Sequence, residues 1–479
     1  MTGDRTTTNK MTARLVLLAL LLGGCAHYPI NKKLEKFEPP RLTMGAMVNS
    51  PTRSNDLLLV VSFSGGGTRA AALGYGVLEA LAQIEVPAPT NSPLASDPTS
   101  HNLAQEVDLV TGVSGGSIVA AYFALKGDGI FTDFKENFLY RNVTWGLLGR
   151  LLNPINMIRV ASAYFSKSDL EAEYLDDHLF HGATFKDIDP RTGPGLVIQA
   201  TDITDGFYFA FSPLQFGLIC SDLAAFPLAR ATAASSSVPG ALGAITLRNY
   251  SGQCGFQEEE WMTRALAAAD FRSRAYRFAM QAQAYRNWND KPFIHLVDGV
   301  FSDNLGVRGY LDLFMANDDV AALLKTRGLE HVRRVAFLIV NAETKHSTKH
   351  FSLLEEDPGF TDVSDVALTA MINNYTFEST ALLRTMVKEW SEHRQATQPG
   401  GKPLDYYVME VTFKGLPAAN ERQGFLDLPT SFSLPDADVD RLREVAKRIL
   451  YSRQEFQKLV RDLGGKIPGV PATPAAPSR

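Results

Sequence analysis

Several features that mark common protein classes are missing from this sequence of 479 residues. It has no long basic block and a net charge of −5, so composition gives no support for a nucleic-acid partner. Beyond the first 25 residues, no apolar run is long enough to suggest a transmembrane span, and we find no internal repeat. With 45% apolar and 21% charged residues, the chain has the composition of a globular protein with one large core or two smaller ones.

Cysteine is scarce, and the three cysteines fall into two groups. Cys25 ends an amino-terminal segment, whereas Cys220 and Cys254 lie in the body of the chain. An oxidising compartment permits a bridge between these two. Two buried free thiols are the alternative, and the sequence leaves both open.

The first 25 residues have the organisation of a targeting segment. Arg5, Lys10 and Arg14 precede the apolar run from Leu15 to Leu22, which is too short to span a bilayer stably. The run ends in Leu-Gly-Gly-Cys25 and resembles a bacterial lipobox, in which the cysteine is lipidated and becomes the first residue. We therefore expect a lipid-anchored, periplasm-facing protein of the bacterial envelope, in the outer rather than the inner membrane. A plain signal peptide that ends near a cysteine by chance is the alternative.

The chain is organised around Ser114. A short strand pattern, Leu109 to Thr111, enters Gly112-Val-Ser114-Gly-Gly116, and an apolar helical pattern follows. A Gly-x-Ser-x-Gly between a strand and a helix predicts a nucleophile elbow, a sharp turn that exposes the serine hydroxyl at the end of the strand. An ordinary strand-to-helix turn is the alternative.

A glycine-rich loop lies upstream of this elbow. The strand pattern Leu57 to Phe63 is followed by Ser-Gly65-Gly66-Gly67-Thr68-Arg69 and then by an amphipathic helix. Successive glycines leave backbone N–H groups free to bind one oxygen, as in an oxyanion hole. Gly65-x-Gly67-x-x-Ala70 also matches a dinucleotide fingerprint, but the expected second strand with its acidic residue is missing. A Walker loop would need Gly-Lys-Ser/Thr, which is absent, and a tight packing turn is the remaining alternative.

A third strand end carries an aspartate. Phe293 to Val297 predicts a strand, and Asp298-Gly299 follows at its carboxyl end, where ligands gather in parallel α/β sheets. An Asp-Gly turn that caps its own backbone is the alternative. His295 alternates within the strand and is expected in the core. The glycine-rich loop, Ser114 and Asp298 together provide the oxyanion donors, the nucleophile and the base that acyl transfer through an acyl-enzyme requires.

These motifs resemble the patatin-like phospholipase family. Gly65 to Arg69 is similar to its oxyanion block, Gly112-x-Ser114-x-Gly116 to its elbow, and Asp298-Gly299 to its aspartate block, while Ala233 to Pro239 is similar to a further helical block. The resemblance implies an α/β fold with a predominantly parallel sheet flanked by helices. It also implies a Ser114–Asp298 dyad without a catalytic histidine, oxyanion binding by residues 65–69, and hydrolysis of lipid acyl esters without a metal or other cofactor. Ala70 and Val300 depart from the family, which usually has glycine at both positions.

The expected substrate is a phospholipid, a lysophospholipid or another acyl-ester lipid, and the expected membrane contact is through Cys25. Two alternatives stay open: a Ser-His-Asp esterase, for which His346 follows a strand, and a membrane-anchored scaffold that has lost catalysis. Two roles are expected equally for Arg69: it binds an anionic head group, or it pairs with a carboxylate of the protein.

The expected domain organisation has five parts: a signal peptide (1–25), a tether (26–55), a catalytic domain (56–346, with an insertion at about 247–291), a helical and strand extension packed on the core (347–467), and a disordered tail (468–479). Within the catalytic domain, the apolar and aromatic segment 131–165 is expected to pack into the core. It could alternatively line an acyl-chain groove or touch a membrane.

Overall fold

The computed structural model describes residues 26–38, 50, 52–88, 101–189, 191–315, 329, 331–344, 355, 359–397 and 404–469. The expected signal peptide with Cys25 lies outside this range, as do His346 and most of the expected tail. The expected domain boundary at residue 346 also lies outside the described residues.

The described part of the chain forms one mixed sheet of eight strands. These are β1 (Leu57–Phe63), β2 (Leu109–Val113), β3 (Gly195–Asp202), β4 (Phe207–Phe211), β5 (Ile245–Arg248), β6 (Phe293–Val297), β7 (Arg334–Asn341) and β8 (Asp405–Thr412). The order is β5-β6-β3-β2-β1-β7-β8, and β4 pairs with β3. Strands β3, β2, β1, β7 and β8 run parallel, so the expected predominantly parallel sheet is confirmed.

Helices cover both faces of this sheet. They are α1 (Gly67–Ala82), α2 (Gly115–Lys126), α3 (Ile130–Phe134), α4 (Val143–Leu151), α5 (Pro154–Val160), α6 (Lys167–Leu175), α7 (Pro213–Leu218), α8 (Leu228–Ser235), α9 (Glu260–Ala268), α10 (Arg274–Arg286), α11 (Val300–Asp303), α12 (Arg308–Met315), α13 (Phe360–Thr397), α14 (Ala419–Leu426), α15 (Asp436–Ser452) and α16 (Gln454–Asp462).

Strand β1 shows why the sheet is covered on both sides. All seven of its residues are buried. Leu57, Leu59 and Val61 face a large core shared with α1 and α2, whereas Leu58 and Val60 face a second core shared with α12 and α13. A continuous apolar run is the pattern expected of a parallel strand between two helical layers.

Strand β6 runs in the opposite direction to the one expected. It pairs antiparallel with β3 through Thr201↔Val297 and Asp202↔Leu296. Strand β3 pairs with β2 only as far as Gln199, so its last three residues extend past the edge of the parallel sheet. Strand β6 pairs with the last residues of β3 and runs antiparallel to them, towards the carboxyl end of β2. Asp298, which follows β6, therefore lies beside the end of β2 despite the reversed direction.

One further difference arises from tertiary packing. His295 is exposed on β6 rather than buried, because Ile294 and Leu296 on the other side of the strand take the core positions. Helix α8 ends at Ser235, and Arg453, whose backbone is extended, separates α15 from α16. The expected insertion begins inside β5, which pairs with β6.

Residues 26–38, the first part of the expected tether, pack against the folded part of the protein. Asn31 donates its side-chain amide to Ser221 Oγ at 2.9 Å, and the Leu34 N–H donates to the Cys220 carbonyl at 2.8 Å. Cys220 and Cys254 form a disulfide with 5.5 Å between their Cα atoms, which settles the alternative that the sequence left open.

Strand β8 and helix α15 come from the expected carboxyl-terminal extension. Strand β8 pairs with β7 over its whole length, and α15 packs on α1. This part of the chain therefore adds a strand to the sheet and packs a helix against α1. None of the described helices combines the length and apolar character needed to cross a bilayer.

Candidate active site

Ser114 occupies the turn between β2 and α2. Its φ and ψ are 51° and −129°, a left-handed conformation that L-residues rarely adopt. Glycine is needed on both sides, because a Cβ on Gly112 would lie 2.6 Å from Ser117 Cα and one on Gly116 would lie 2.4 Å from the Ser64 carbonyl oxygen. The turn therefore has the geometry of a nucleophile elbow.

The Ser114 hydroxyl donates to Asp298. The distance from Ser114 Oγ to Asp298 Oδ2 is 2.9 Å, and both side chains are buried. The other carboxylate oxygen accepts the Val300 N–H at 3.0 Å, while the Asp298 N–H donates to the Ser237 carbonyl at 2.9 Å. The two residues predicted from separate motifs thus meet within hydrogen-bond distance.

Burial changes the acidity of this aspartate. Removal from water raises the pKa of the Asp298 carboxyl to about 7, although the hydrogen bonds from Val300 and Ser114 oppose the increase. A carboxyl group with a pKa near neutrality can accept a proton and return it under ordinary conditions.

Ser235 supports the elbow in a way that the sequence did not reveal. Its hydroxyl accepts the Ser114 N–H at 2.8 Å and donates to the Gln199 carbonyl at 2.6 Å. Its backbone carbonyl accepts the Gly299 N–H at 3.1 Å. The Ala-Ala-Ser-Ser-Ser-Val-Pro block had signalled a family likeness, but it did not indicate that Ser235 joins the serine turn to the aspartate turn.

The glycine-rich loop lies against the elbow, but not all of its amides are free. The Gly65 N–H donates to the Asn304 carbonyl at 3.0 Å, and the Thr68 N–H donates to the Ser431 carbonyl at 2.8 Å. The expectation that Gly65 and Thr68 present free backbone donors is therefore not met. The N–H groups of Gly66 and Gly67 have no acceptor among the described residues.

Gly115 is a further candidate donor that the sequence analysis missed. It begins α2, so its N–H has no partner within the helix, and it has none elsewhere among the described residues. A Cβ on Gly115 would lie only 2.0 Å from the Gly67 carbonyl oxygen, so the two glycines are in close contact. The residue after an elbow serine is a common source of an oxyanion donor, and this position could have been found from that rule.

Arg69 fits neither of its two expected roles. Only 2% of it is exposed, and it donates to the Ala342 carbonyl at 3.0 Å, the Leu428 carbonyl at 2.7 Å and Thr430 Oγ1 at 3.0 Å. Burial lowers the pKa of the guanidinium to about 10. Arg69 therefore fastens residues 428–433, which we call the cover segment, over the glycine-rich loop.

Histidine contributes no hydrogen bond to the pair within the described ranges. Besides each other, Ser114 and Asp298 bond to serine and threonine hydroxyls and to backbone groups. The described residues also contain no cluster of three or more side chains suited to a metal ion.

Several solved structures are similar to this chain at low sequence identity. In structure, the chain is similar to human GIVD cytosolic phospholipase A2, with a TM-score of 0.43 and 11% identity over 94% of this chain and 66% of that one. This chain thus spans slightly less than two thirds of that protein's length. It is also similar to VipD from Legionella pneumophila (TM-score 0.23, 12% identity, 87% and 71% coverage) and to the type III effector ExoU (TM-score 0.20, 16% identity, 86% and 76% coverage). No curated protein sequence matches the chain.

One sequence family matches more than half of the chain. Its description is patatin-like phospholipase, and the match covers residues 61–311. This range starts within β1, ends within α12 and includes both Ser114 and Asp298. The chain therefore belongs to the patatin-like phospholipase family.

Proposed function

We propose that this protein is a lipid acyl hydrolase that cleaves carboxylic ester bonds of phospholipids or lysophospholipids through an acyl-serine intermediate. Family membership supports a lipid hydrolase. The observation that carries the finer proposal is the buried hydrogen bond from Ser114 Oγ to Asp298 Oδ2, at 2.9 Å. A nucleophile within hydrogen-bond reach of a base is the basic requirement of covalent acyl transfer.

In the proposed first half-reaction, Ser114 Oγ attacks the ester carbonyl carbon while Asp298 takes the hydroxyl proton. The tetrahedral intermediate then expels the glycerol oxygen, which receives that proton from Asp298. In the second half-reaction, Asp298 takes a proton from water, and the resulting hydroxide attacks the acyl-serine. Ser114 leaves with the proton, and a fatty acid is released.

The proposed oxyanion donors are the N–H groups of Gly66, Gly67 and Gly115. They lack acceptors among the described residues, and Gly67 is in contact with Gly115. They also lie at the amino termini of α1 and α2, where the helix dipoles favour negative charge. One such donor contributes on the order of 10²- to 10³-fold in rate.

The proposal is tested with Ser114→Ala and Asp298→Asn, assayed by fatty-acid release from phospholipid in mixed micelles. Both substitutions are expected to lower kcat by at least about 10³-fold, because each removes an obligatory part of the proton and acyl transfer. Ser452→Ala, at an exposed serine, is the matched control and should keep full activity. Full activity in a folded Ser114→Ala protein would overturn the proposal.

Two alternatives are separated by further measurements. A fluorophosphonate should label the wild type but not Ser114→Ala, whereas a catalytically silent scaffold would not react at all. His346→Ala should keep its activity under the dyad proposal, while a Ser-His-Asp esterase would lose it.

We also propose that acyl chains on Cys25 anchor the protein in the bacterial envelope, facing the periplasm. The lipobox-like sequence supports this proposal, since two or more acyl chains give stable attachment. Cys25→Ser should abolish labelling by radioactive palmitate in growing cells. Undiminished labelling would contradict the anchor.

A further inference from the structure

Helices α4 and α5 form an apolar projection on the outside of the molecule. We call residues 141–165 the outer hairpin. Trp145, Leu152 and Ile155 are 68%, 63% and 69% exposed, and Met157 and Tyr164 are also exposed. Val143 is the only buried residue in α4, and α5 has none. Because the core of this protein does not use these side chains, their apolar character requires another explanation.

Charge in the outer hairpin is of one sign. The segment contains Arg141, Arg150 and Arg159 but no aspartate or glutamate, in a chain whose net charge is −5. Arg150 and Arg159 pair with Asp177 and Glu173, which lie beyond the hairpin. The hairpin itself therefore adds no carboxylate to this surface, and the two carboxylates that contact it are paired with arginines. Such a surface is suited to the interface of a bilayer, where lipid phosphates would repel unpaired carboxylates.

The amino-terminal end of the described chain is attached to this same hairpin. The Ala26 carbonyl accepts the Ser162 hydroxyl at 2.8 Å, and the Tyr28 N–H donates to the Tyr164 carbonyl at 2.6 Å. The His27 ring stacks on Tyr164, with 5.4 Å between ring centres. Cys25, the proposed acylation site, is covalently joined to Ala26. Lipid chains on Cys25 would therefore enter a bilayer beside the exposed apolar residues.

The start of the outer hairpin also adjoins the candidate active site. Thr144 Oγ1 lies 3.0 Å from Ser433 Oγ in the cover segment, and the Ser431 carbonyl of that segment accepts the Thr68 N–H.

The end of the hairpin adjoins the loop that holds Asp298. Lys167, just beyond the hairpin, donates to the Ala241 carbonyl at 3.1 Å. The segment containing Ala241 continues from Ser237, whose carbonyl accepts the Asp298 N–H. A bilayer in contact with the hairpin would therefore lie beside the elements that surround the Ser114–Asp298 pair.

We propose that the outer hairpin is a membrane-docking surface that inserts Trp145, Leu152, Ile155 and Met157 into the interfacial zone of a lipid bilayer. It holds the active site at the lipid surface, and the acyl chains on Cys25 attach beside it. Insertion of apolar side chains supplies the binding, with Trp145 at the headgroup level that this side chain favours. Docking adds to the proposed catalytic function and does not depend on it, since it uses none of the catalytic residues.

The experiment measures co-sedimentation of the full chain with large unilamellar vesicles. Every variant carries Cys25→Ser, so that acylation makes no contribution. The parent should bind both phosphatidylcholine vesicles and phosphatidylcholine–phosphatidylglycerol vesicles. Adding Leu152→Asp and Ile155→Asp should lower the partition coefficient at least tenfold. Phe271→Asp changes an 81% exposed aromatic outside the hairpin and should leave binding unchanged.

A second readout locates the contact. Tryptophan fluorescence of the parent should shift to shorter wavelength with vesicles, and Trp145→Phe should remove that shift although three other tryptophans remain. The proposal is overturned if the Asp variant binds as tightly as the parent, or if Phe271→Asp weakens binding equally. Binding that occurs only to anionic vesicles and disappears in high salt would also overturn insertion. The proposal is also overturned if Leu152→Asp and Ile155→Asp dissociate a dimer without changing vesicle binding. In that case the hairpin would contact a second copy of the chain rather than a bilayer.

Ester hydrolysis and vesicle binding, measured on the same variants, distinguish a failure of the docking proposal from a failure of the catalytic proposal. The Asp variant should hydrolyse a soluble short-chain ester at the parent rate but act at least tenfold more slowly on phospholipid in vesicles. If the catalytic proposal alone is wrong, hydrolysis is absent while vesicle binding remains sensitive to the Asp substitutions.

Discussion

Ser114 is held in an unfavourable backbone conformation by its neighbours. A positive φ in a non-glycine residue costs on the order of 1–3 kcal/mol and persists only where surrounding contacts impose it. Here the Ser235 hydroxyl accepts the Ser114 N–H, and the close contacts at Gly112 and Gly116 leave no room for a side chain at either position. The hydroxyl consequently bonds to Asp298 in the absence of substrate, and this preorganisation would lower the entropic cost of the proposed reaction.

The pH dependence of activity should follow Asp298. In the proposed mechanism this carboxyl group must be ionised to accept the serine proton, and burial raises its pKa to about 7. We therefore expect kcat/KM for a soluble ester to rise with pH, with a midpoint near 7. A profile measured from pH 4 to 9 checks this, and a midpoint near 4, the value of an exposed aspartate, would contradict it.

Ser235→Ala should impair catalysis more than folding. The substitution leaves the buried Ser114 N–H without an acceptor, which costs about 1–3 kcal/mol and loosens the elbow. We expect kcat to fall roughly 10- to 100-fold with little change in KM, because a 1 Å misplacement can cost about 10²-fold.

Thr232→Val is the matched control for Ser235→Ala. It removes a buried hydroxyl from the same helix α8 that bonds only to helix carbonyls among the described residues. If both variants lose stability equally and both keep full kcat, Ser235 has no positioning role.

At the level of elements, the buried Arg69 holds the cover segment together with the Thr68 N–H. Arg69 in α1 reaches Ala342 beyond β7 and two residues of the cover segment, so three distant parts of the chain meet at one guanidinium. A Cβ on Gly67 would lie 2.3 Å from the Ser431 carbonyl oxygen, which shows how closely this segment sits on the donor loop. The shape of the loop therefore depends on the element above it.

Arg69→Met should release the cover segment. Loss of three hydrogen bonds from a buried cation is expected to destabilise the fold by roughly 2–5 kcal/mol and to lower kcat at least tenfold on all ester substrates. Chemical denaturation and assays with neutral and anionic lipids measure both effects. Arg422→Met, which removes an arginine bound to the Leu416 carbonyl, is the control. A rise in KM confined to anionic lipids would instead indicate head-group binding.

The sequence predicted those elements whose signals are local. The apolar run of β1, the glycines around Ser114 and the Asp298-Gly299 turn each have a meaning within a few residues, and each was located correctly. The direction of β6 was wrong, because it depends on the overhang of β3, which no local pattern records. The role of Arg69 was wrong for the same reason, since its partners lie more than 270 residues away.

For the whole molecule, buried carboxyl groups link stability to pH. Burial raises the pKa of Glu171 to about 8 and that of Asp303 to about 7, as it does for Asp298. In the unfolded chain these groups titrate near pH 4. Between about pH 4 and pH 8 the folded state therefore binds more protons than the unfolded state, so the free energy of unfolding contributed by these groups falls as pH rises.

Glu171→Gln isolates one of these contributions. The amide stays neutral at every pH, so the decline in stability between pH 5 and pH 8 should become shallower by up to about 1.4 kcal/mol per pH unit. Urea denaturation of both proteins at intervals of one pH unit measures the slope. Parallel curves for the two proteins would show that Glu171 is not protonated in the folded state.

The contact between the cover segment and Gly67 also has a consequence for biosynthesis. A ribosome makes Ser114 and Asp298 long before it reaches residues 428–433. A prematurely terminated polypeptide that ends after β7 contains the proposed reacting groups, Ser114 and Asp298, but lacks the segment in contact with Gly67. We therefore expect such a polypeptide to hydrolyse esters more slowly than the full chain, because its donor loop would lack this contact.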